Sequence, residues 1–532
     1  MHRPRIRCEF ALVFSLLAMS WATVSSAQAA TLGRVHFPNS GTSAAQEDFI
    51  RGVLYLHSFE YEPARTAFRT AQSIDPDFAM AFWGEAMTYH HSLWKVHNKQ
   101  AGQDVLRKLG RTASARAAKA PTQREKDYIH SLEILFGMSE ATANSSKLER
   151  DVHYRNAMQK VHLAYPDDLE ARVFYGLSIL GVGSAKREYA TYMRAAAVIT
   201  PVWDANREHP GAAHYLIHSY DDPVHAILGL PMARAYGDIA VDAAHAQHMT
   251  SHIYVALGLW DDMTAANVTA LRVESAKTTG EASRSREAWH HRYWLLYGRL
   301  QQGRLDDARE MLQWARKRVS DEPLLREPAY YGAMYARYLI DTELWTEAED
   351  WLAPNGVKIP TPHYAFARAY AAARLGELEK ARLHLAEISA GGEGANPEII
   401  LTREEVDILK LQVQSVIAIS AGTSELAIKL ARQAAELQAG MPFRYGPPRI
   451  SKPTSELLAD LLLELGQYDE AADVYSDQLS RSQLRTNSLI GLARASSRTG
   501  DETKFQETFD SLSNIWHNAD QDFPLLVDFA ER

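Results

Sequence analysis

Residues 45–76 read AQEDFIRGVLYLHSFEYEPARTAFRTAQSIDP, and the marks within them decide the architecture. Gly52, Tyr55, Tyr61, Ala64, Phe68, Ala71 and Pro76 sit at the offsets of one helix-turn-helix unit. The small residues let two antiparallel helices approach, and the aromatics fill the gap to the neighbouring pair. Pro76, following Asp75, closes the second helix because proline lacks an N–H and clashes with the preceding turn.

Working outward, turns of the same type recur as LGLWDDM around Gly258, QGRLDDA around Gly303, TELWTEA around Glu343, LGELEKA around Gly376, AGTSELA around Gly422, LGQYDEA around Gly466 and RTGDETKF around Gly500. The steps from Glu343 to Gly376 and from Gly466 to Gly500 are 33 and 34 residues, and the other internal steps of 40 to 46 imply inserted loops. Between the turns, segments rich in Ala, Leu, Glu and Arg place apolar residues three and four apart, the pattern of amphipathic helices. No run of alternating β-branched residues suggests a sheet.

These marks resemble the tetratricopeptide (TPR) repeat family. The resemblance implies an all-α chain, a right-handed α-solenoid of helix-turn-helix repeats. The phase weakens at about 95–203, where helices are expected without clear repeat marks. The expected division is a signal peptide at 1–29, N-terminal repeats at 30–94, the divergent helical region at 95–203, histidine-rich central helices at 204–275 and a C-terminal array at 276–532. Met138–Lys147, Ala390–Pro397 and Ala439–Thr454 read as loops from their Gly, Pro and Ser content. The last is long for a connector, and two readings stand: a plain surface loop, or a strap folded over the solenoid's groove.

The signal reading rests on Arg3, Arg5 and Arg7 ahead of an apolar run from Phe10 to about Ala22, followed by Ala27-Gln28-Ala29 as a cleavage site. No later stretch approaches the roughly 20 apolar residues of a membrane span. An exported, periplasmic or secreted protein without a membrane span is expected. The only cysteine, Cys8, lies in the signal, so a metal site would have to use His, carboxylate, Met or Tyr. Losing three arginines and one glutamate with the signal takes the net charge from -9 to -11, and no basic stripe points to nucleic acid.

Seven of the 21 histidines lie between 209 and 252, in HPGAAHYLIHSYDDPVHA and HAQHMTSHIYVALGLWDD. Pro210 suits the first turn of a helix, and Pro223 ends that helix by restricting Asp222. His214 and His218 are four apart on one face, with Asp221 three further on. His248 and His252 repeat the spacing, which lets one helix offer two imidazoles to one ion. The candidate metal set is therefore His214, His218, Asp221, His248 and His252. Zn or Cu suits imidazole ligands, and carboxylates would widen the choice to Fe or Mn. No HExxH is present, so a zincin-type protease is not indicated. A histidine on a packed helix also serves as a hydrogen-bonded core residue, and that reading stands beside the metal one.

In TPR proteins, the second, fifth and ninth places of the first helix line the concave groove. Carried over with Gly258 as the turn residue, the resemblance puts His245, His248 and His252 in those places, then His290, Tyr293 and Tyr297, then Tyr330, Ala333 and Arg337, then His363, Phe366 and Tyr370. The implied groove is a strip of imidazoles and phenols, and only Arg337 suits an acidic peptide tail. A smaller constellation, Glu85, Tyr89, His90, His91 and His97 with His57 on the preceding helix, is expected to curve towards the central block; helix capping and packing are its plainer roles. Met249, Trp83, Trp94, Trp289 and Trp294 read as core. Two glycosylation sequons, at Asn144 and Asn267, carry no weight.

The chain also resembles a group of exported bacterial TPR-containing proteins of unestablished function. They share the two histidine blocks, WGEAMTYHHSLW at 83–94, YGPPRISKP at 445–453 and GLARAS at 491–496. Two functions follow from the sequence. One is a scaffold whose groove binds a peptide, a partner protein or a small molecule. The other is a metal-binding protein or metalloenzyme of hydrolase or oxidase type, built on the paired histidines.

Overall fold

The computed structural model describes residues 31–526 except 184–186, 278–285, 321–322, 325, 355, 360, 390–397 and 524. The expected signal and the 390–397 loop lie outside the described residues. From Gln46–His57 to Glu502–Ile515, the described chain forms 24 α-helices, with one short ladder pairing His90 with His97 and His91 with Val96.

Every phased turn is found in the left-handed backbone region: Gly258, Gly303, Gly376, Gly422, Gly466 and Gly500 at φ between 68° and 77°, and Glu343 at 57°. A left-handed residue just past a helix lets the chain reverse and run back alongside it. Helices pair accordingly, Gln46–His57 with Tyr61–Ile74, Ala244–Leu257 with Trp260–Lys277, Arg286–Gln301 with Leu305–Ser320, Pro362–Arg374 with Leu378–Glu387, and so on to Thr486–Thr499 with Glu502–Ile515. The close approach falls at small residues. A Cβ on Gly52 would lie 2.7 Å from the Phe68 ring and one on Gly84 2.2 Å from it, so one phenylalanine seats against its own partner helix and the next. Tyr475 does the same at Gly491 near the other end. The chain is thus an all-α solenoid of TPR-like helix pairs.

The 95–203 region is also paired helix, with Lys147–Ala164 packed on Leu169–Val182. Its reversal uses Tyr165-Pro166-Asp167-Asp168 in place of a glycine. Asp168 caps the second helix through the backbone N–H groups of Glu170 and Ala171.

The solenoid closes on itself. Trp260 Nε1 donates to the Leu484 carbonyl at 3.0 Å, Thr486 donates from its backbone N to Gln301 Oε1 at 3.0 Å, and Trp516 Nε1 donates to the Gln301 carbonyl at 3.1 Å. The inner helices are buried as a result, and all 16 residues of Glu327–Thr342 are inaccessible. The segment at 440–453 contributes by crossing the inner face as a strap. Arg337 donates to the Pro448 and Ser451 carbonyls, and Arg449 grips both Glu405 carboxylate oxygens, at 2.8 and 2.9 Å, and the Glu398 and Ile400 carbonyls. Among the described residues, no helix is long and apolar enough to cross a membrane.

Candidate metal centre

The helix Pro210–Tyr220 begins where expected. His209 caps it by accepting from the Ala212 N–H, Pro210 occupies the first turn, and the helix ends at Tyr220, ahead of Asp222-Pro223. Its face carries His214 and His218 inward, opposite His245, His248 and His252 on Ala244–Leu257; His290 and His291 follow on Arg286–Gln301. The rings form one contiguous body. Centroids lie 4.9 Å apart for His214 and His218, 5.2 Å for His214 and His245, 6.4 Å for His245 and His248, 5.1 Å for His248 and His252, and 4.3 Å for His248 and His290.

The hydrogen bonds show which nitrogen of each ring faces inward. His214 Nδ1 is 2.6 Å from the His57 carbonyl, an acceptor only, so Nδ1 carries the proton and Nε2 the lone pair. His218 Nε2 faces that lone pair at 3.1 Å. One ligand atom from each of His214, His218 and His245 fits within 4.8 Å of the others, and His245 Nε2 is buried with no hydrogen-bond partner. Burial, joined by repulsion from neighbouring imidazoles, pushes the His218 and His245 rings well below the ordinary histidine range. Burial likewise takes His214 down to about 3, although its bond to the His57 carbonyl opposes the shift. All three are therefore neutral near pH 7, the form that binds metal.

Behind His214 stands a second polar group. His57 Nε2 lies 2.8 Å and His209 Nε2 3.1 Å from the Glu170 carboxylate, and His57 Nδ1 is 3.0 Å from the Tyr215 hydroxyl. Burial alone would raise the Glu170 carboxyl, but attraction to His209 and His57 outweighs it and holds the group at about 2. Both nitrogens of His57 are engaged, which fixes the His57 carbonyl and, through it, the His214 ring.

Asp221, expected among the ligands, instead meets His252 Nδ1 at 2.7 Å and orients that ring. The smaller constellation divides. His57 reaches the centre through its carbonyl, and Trp94 packs 5.5 Å from His245. Glu85 and Tyr89 bind Arg69, His90 Nδ1 faces His97 Nδ1 at 3.0 Å, and His91 stacks on Tyr61. Trp83, Trp289, Trp294 and Met249 are core as expected, and Trp294 also borders the centre, 4.5 Å from the His252 ring.

The remaining groove positions do not form an open strip. Tyr293, Tyr297, Tyr330, His363 and Tyr370 are buried. The strap and the returning C-terminal helices cover that face, and Arg337 is spent on strap carbonyls. Sequence reasoning missed Glu170, Asn267 and Glu398, each a partner of a ring nitrogen. Nothing local marks any of them. A cleft of about 690 Å³ remains beside the centre, lined by Asp221, Val255 and Trp260 on one side and Phe443, Arg444 and Arg449 on the other.

No protein-family model and no curated protein matches the sequence. Among solved structures, the chain is similar to the APC/C hetero-tetramer Cut9–Hcn1, with TM-score 0.32 and 13% identity over 93% of this chain and 77% of that one. It is also similar to a human IFIT1 dimer with m7Gppp-AAAA, at 0.34 and 11% over 90% and 91%, and to the P58(IPK) TPR domain, at 0.21 and 12% over 87% and 100%. Overlap at these scores is loose, and the fold assignment rests on the helix pairs themselves.

Proposed function

We propose that this chain is an exported metal-binding protein that uses its solenoid as the cage for a transition-metal ion held by His214, His218 and His245. One observation carries the reading: His214 presents an Nε2 lone pair, its Nδ1 hydrogen already committed to the His57 carbonyl, and His218 Nε2 faces it at 3.1 Å. Metal–nitrogen bonds of about 2.0–2.1 Å put two ligands about 2.9 Å apart at a right angle and about 3.3 Å apart at a tetrahedral one. A shell of neutral imidazoles suits Zn or Cu. Three ligands leave a tetrahedral ion one position for water or a substrate atom.

The cleft beside Asp221 favours a small molecule over a peptide as the chain's other ligand, because the concave strip a peptide would follow is covered. The test is metal analysis of tag-free protein from the exported fraction, before and after supplementation with Zn and Cu. Stoichiometric metal in the wild type, lost in His214→Ala with helicity kept, is expected. A wild-type protein that takes up neither ion overturns the reading.

A further inference from the structure

Asp221 borders the cleft beside the histidines, and its two oxygens differ in what meets them. Oδ2 lies 2.7 Å from His252 Nδ1. Oδ1 is buried, and no donor among the described residues reaches it. Only 1% of the residue is accessible. Buried polar atoms are bonded in the great majority of cases, so a free acceptor on the wall of a cleft marks a place for a donor from outside the chain.

The other buried carboxylate of the cleft wall shows the contrast. Arg449 takes both Glu405 oxygens, and the Thr402 backbone N–H donates to Oε2 at 2.8 Å. The remaining charged groups of the wall, Glu404, Arg444 and Arg481, are exposed and hydrated without help from a ligand. Beside Asp221 the lining is largely apolar. Val255 and Trp260 share its side of the cleft, and Phe443 faces them from the strap. Val224 and Tyr189, 66% and 41% exposed, carry that surface out into solvent. At about 690 Å³ the cleft falls within the range of about 300–1,000 Å³ typical of small-molecule sites, which combine apolar walls with a few placed polar groups.

We propose that the cleft binds a small primary amine with an apolar or aromatic body, its ammonium group donating to Asp221 Oδ1 and its body lying against Val255, Trp260 and Phe443. An ammonium group brings three donors and a charge, and charge-assisted bonds to a carboxylate are about twice as strong as neutral ones. A hydroxyl donates one bond without the charge, and a ligand carboxylate would set acceptor against acceptor. The inference rests on the small-molecule reading of the cleft and needs no ion at the histidines.

The experiment is isothermal titration calorimetry of the untagged full chain, before and after treatment with a chelator. The probes are 2-phenylethylamine and tryptamine, set against 2-phenylethanol, tryptophol and 3-phenylpropionate. At least one amine is expected to bind at one site per chain, with or without the chelator, and at least tenfold more tightly than its alcohol or the acid. Asp221→Asn keeps the shape of the side chain and an acceptor for His252 but turns an amide N–H towards the ligand. It should weaken the amine by about 10–100-fold, the worth of a hydrogen bond to a charged group. Ala256→Trp leaves Asp221 in place and fills the cleft from the same helix as Val255, and it should abolish binding. Circular dichroism confirms that each variant is folded. An alcohol or acid that binds as tightly as the amine, or an amine that binds Asp221→Asn as tightly as the wild type, overturns the amine preference and spares the small-molecule cleft. Amine binding that disappears with the chelator places the contact on an ion and overturns the inference. No heat from any probe sinks the inference and the small-molecule cleft together, and leaves the metal analysis to stand on its own.

Discussion

At the scale of single residues, the burial of charge shows how much of this interior is polar by design. Arg485 is fully buried and bonds Asp341 at 2.7 Å and Glu456 at 2.8 and 3.0 Å, while Lys452, also buried, reaches Glu456 and Asp460. Taking one partner from such a network strands the others in a medium that solvates them poorly. Arg485→Met is therefore expected to cost about 3–5 kcal/mol, read as a lower urea midpoint at unchanged slope. A loss below about 1 kcal/mol would mean that water reaches these carboxylates. The histidines follow the same logic, and here the sequence was partly legible. Spacings of four placed His214 with His218 and His248 with His252 on single faces. The groups that hold the surrounding rings lie far off in sequence, Asn267 19 residues from His248, Glu398 108 from His290 and Glu170 113 from His57, and no local pattern records those distances. Trp294 is core, as its place on a packed helix predicts, but the sequence did not show that its neighbour is an imidazole and not a leucine.

At the scale of elements, the turns were the most readable feature. A glycine followed by Asp, Glu or Thr within a helical period marks a reversal, and the six such glycines have positive φ, as does Glu343 at the seventh turn. Glu343 shows that the phase, not the glycine, carried the reading. The divergent region was hard to phase because its reversals, such as the one capped by Asp168, use a proline and an aspartate. Gly258 has a second duty. A Cβ there would lie 2.5 Å from the Gln483 carbonyl oxygen, where the C-terminal helices return to the central block. Gly258→Ala combines the left-handed penalty with that clash, for an expected loss of about 2–4 kcal/mol. Gly376→Ala meets nothing within 4 Å and should cost only the backbone part. Equal losses from the two in parallel melts would remove the closing contact from the account.

At the scale of the whole molecule, buried neutral histidines make the fold acid-sensitive even away from the proposed ligands. His90 and His363 are buried, and burial pushes both below the ordinary value, His363 to about 3. An unfolded chain protonates these rings below about pH 6.5 while the folded one does not. The stability they contribute is thus present above that pH and lost as pH falls, by about 1.4 kcal/mol per pH unit for each ring. Glu170, held at about 2, adds its own loss only below the ordinary carboxylate range. Urea midpoints of metal-free protein should therefore fall steadily from pH 7.5 to 5. A flat profile would show that the rings are protonated in the folded state.

The closure of the solenoid also sets an order of assembly. His290 waits for Glu398, 108 residues further on, and Trp260 for Leu484, 224 residues further on. Helix pairs form from local contacts, whereas pairings this distant form late. The three histidines at 214, 218 and 245 can therefore come together while the chain that covers them is still being made. An ion bound there, as proposed, would be sealed in by the strap and the C-terminal helices. Its exchange rate in the finished protein would then be governed by how often the last third of the chain opens, and not by the strength of its bonds to nitrogen alone.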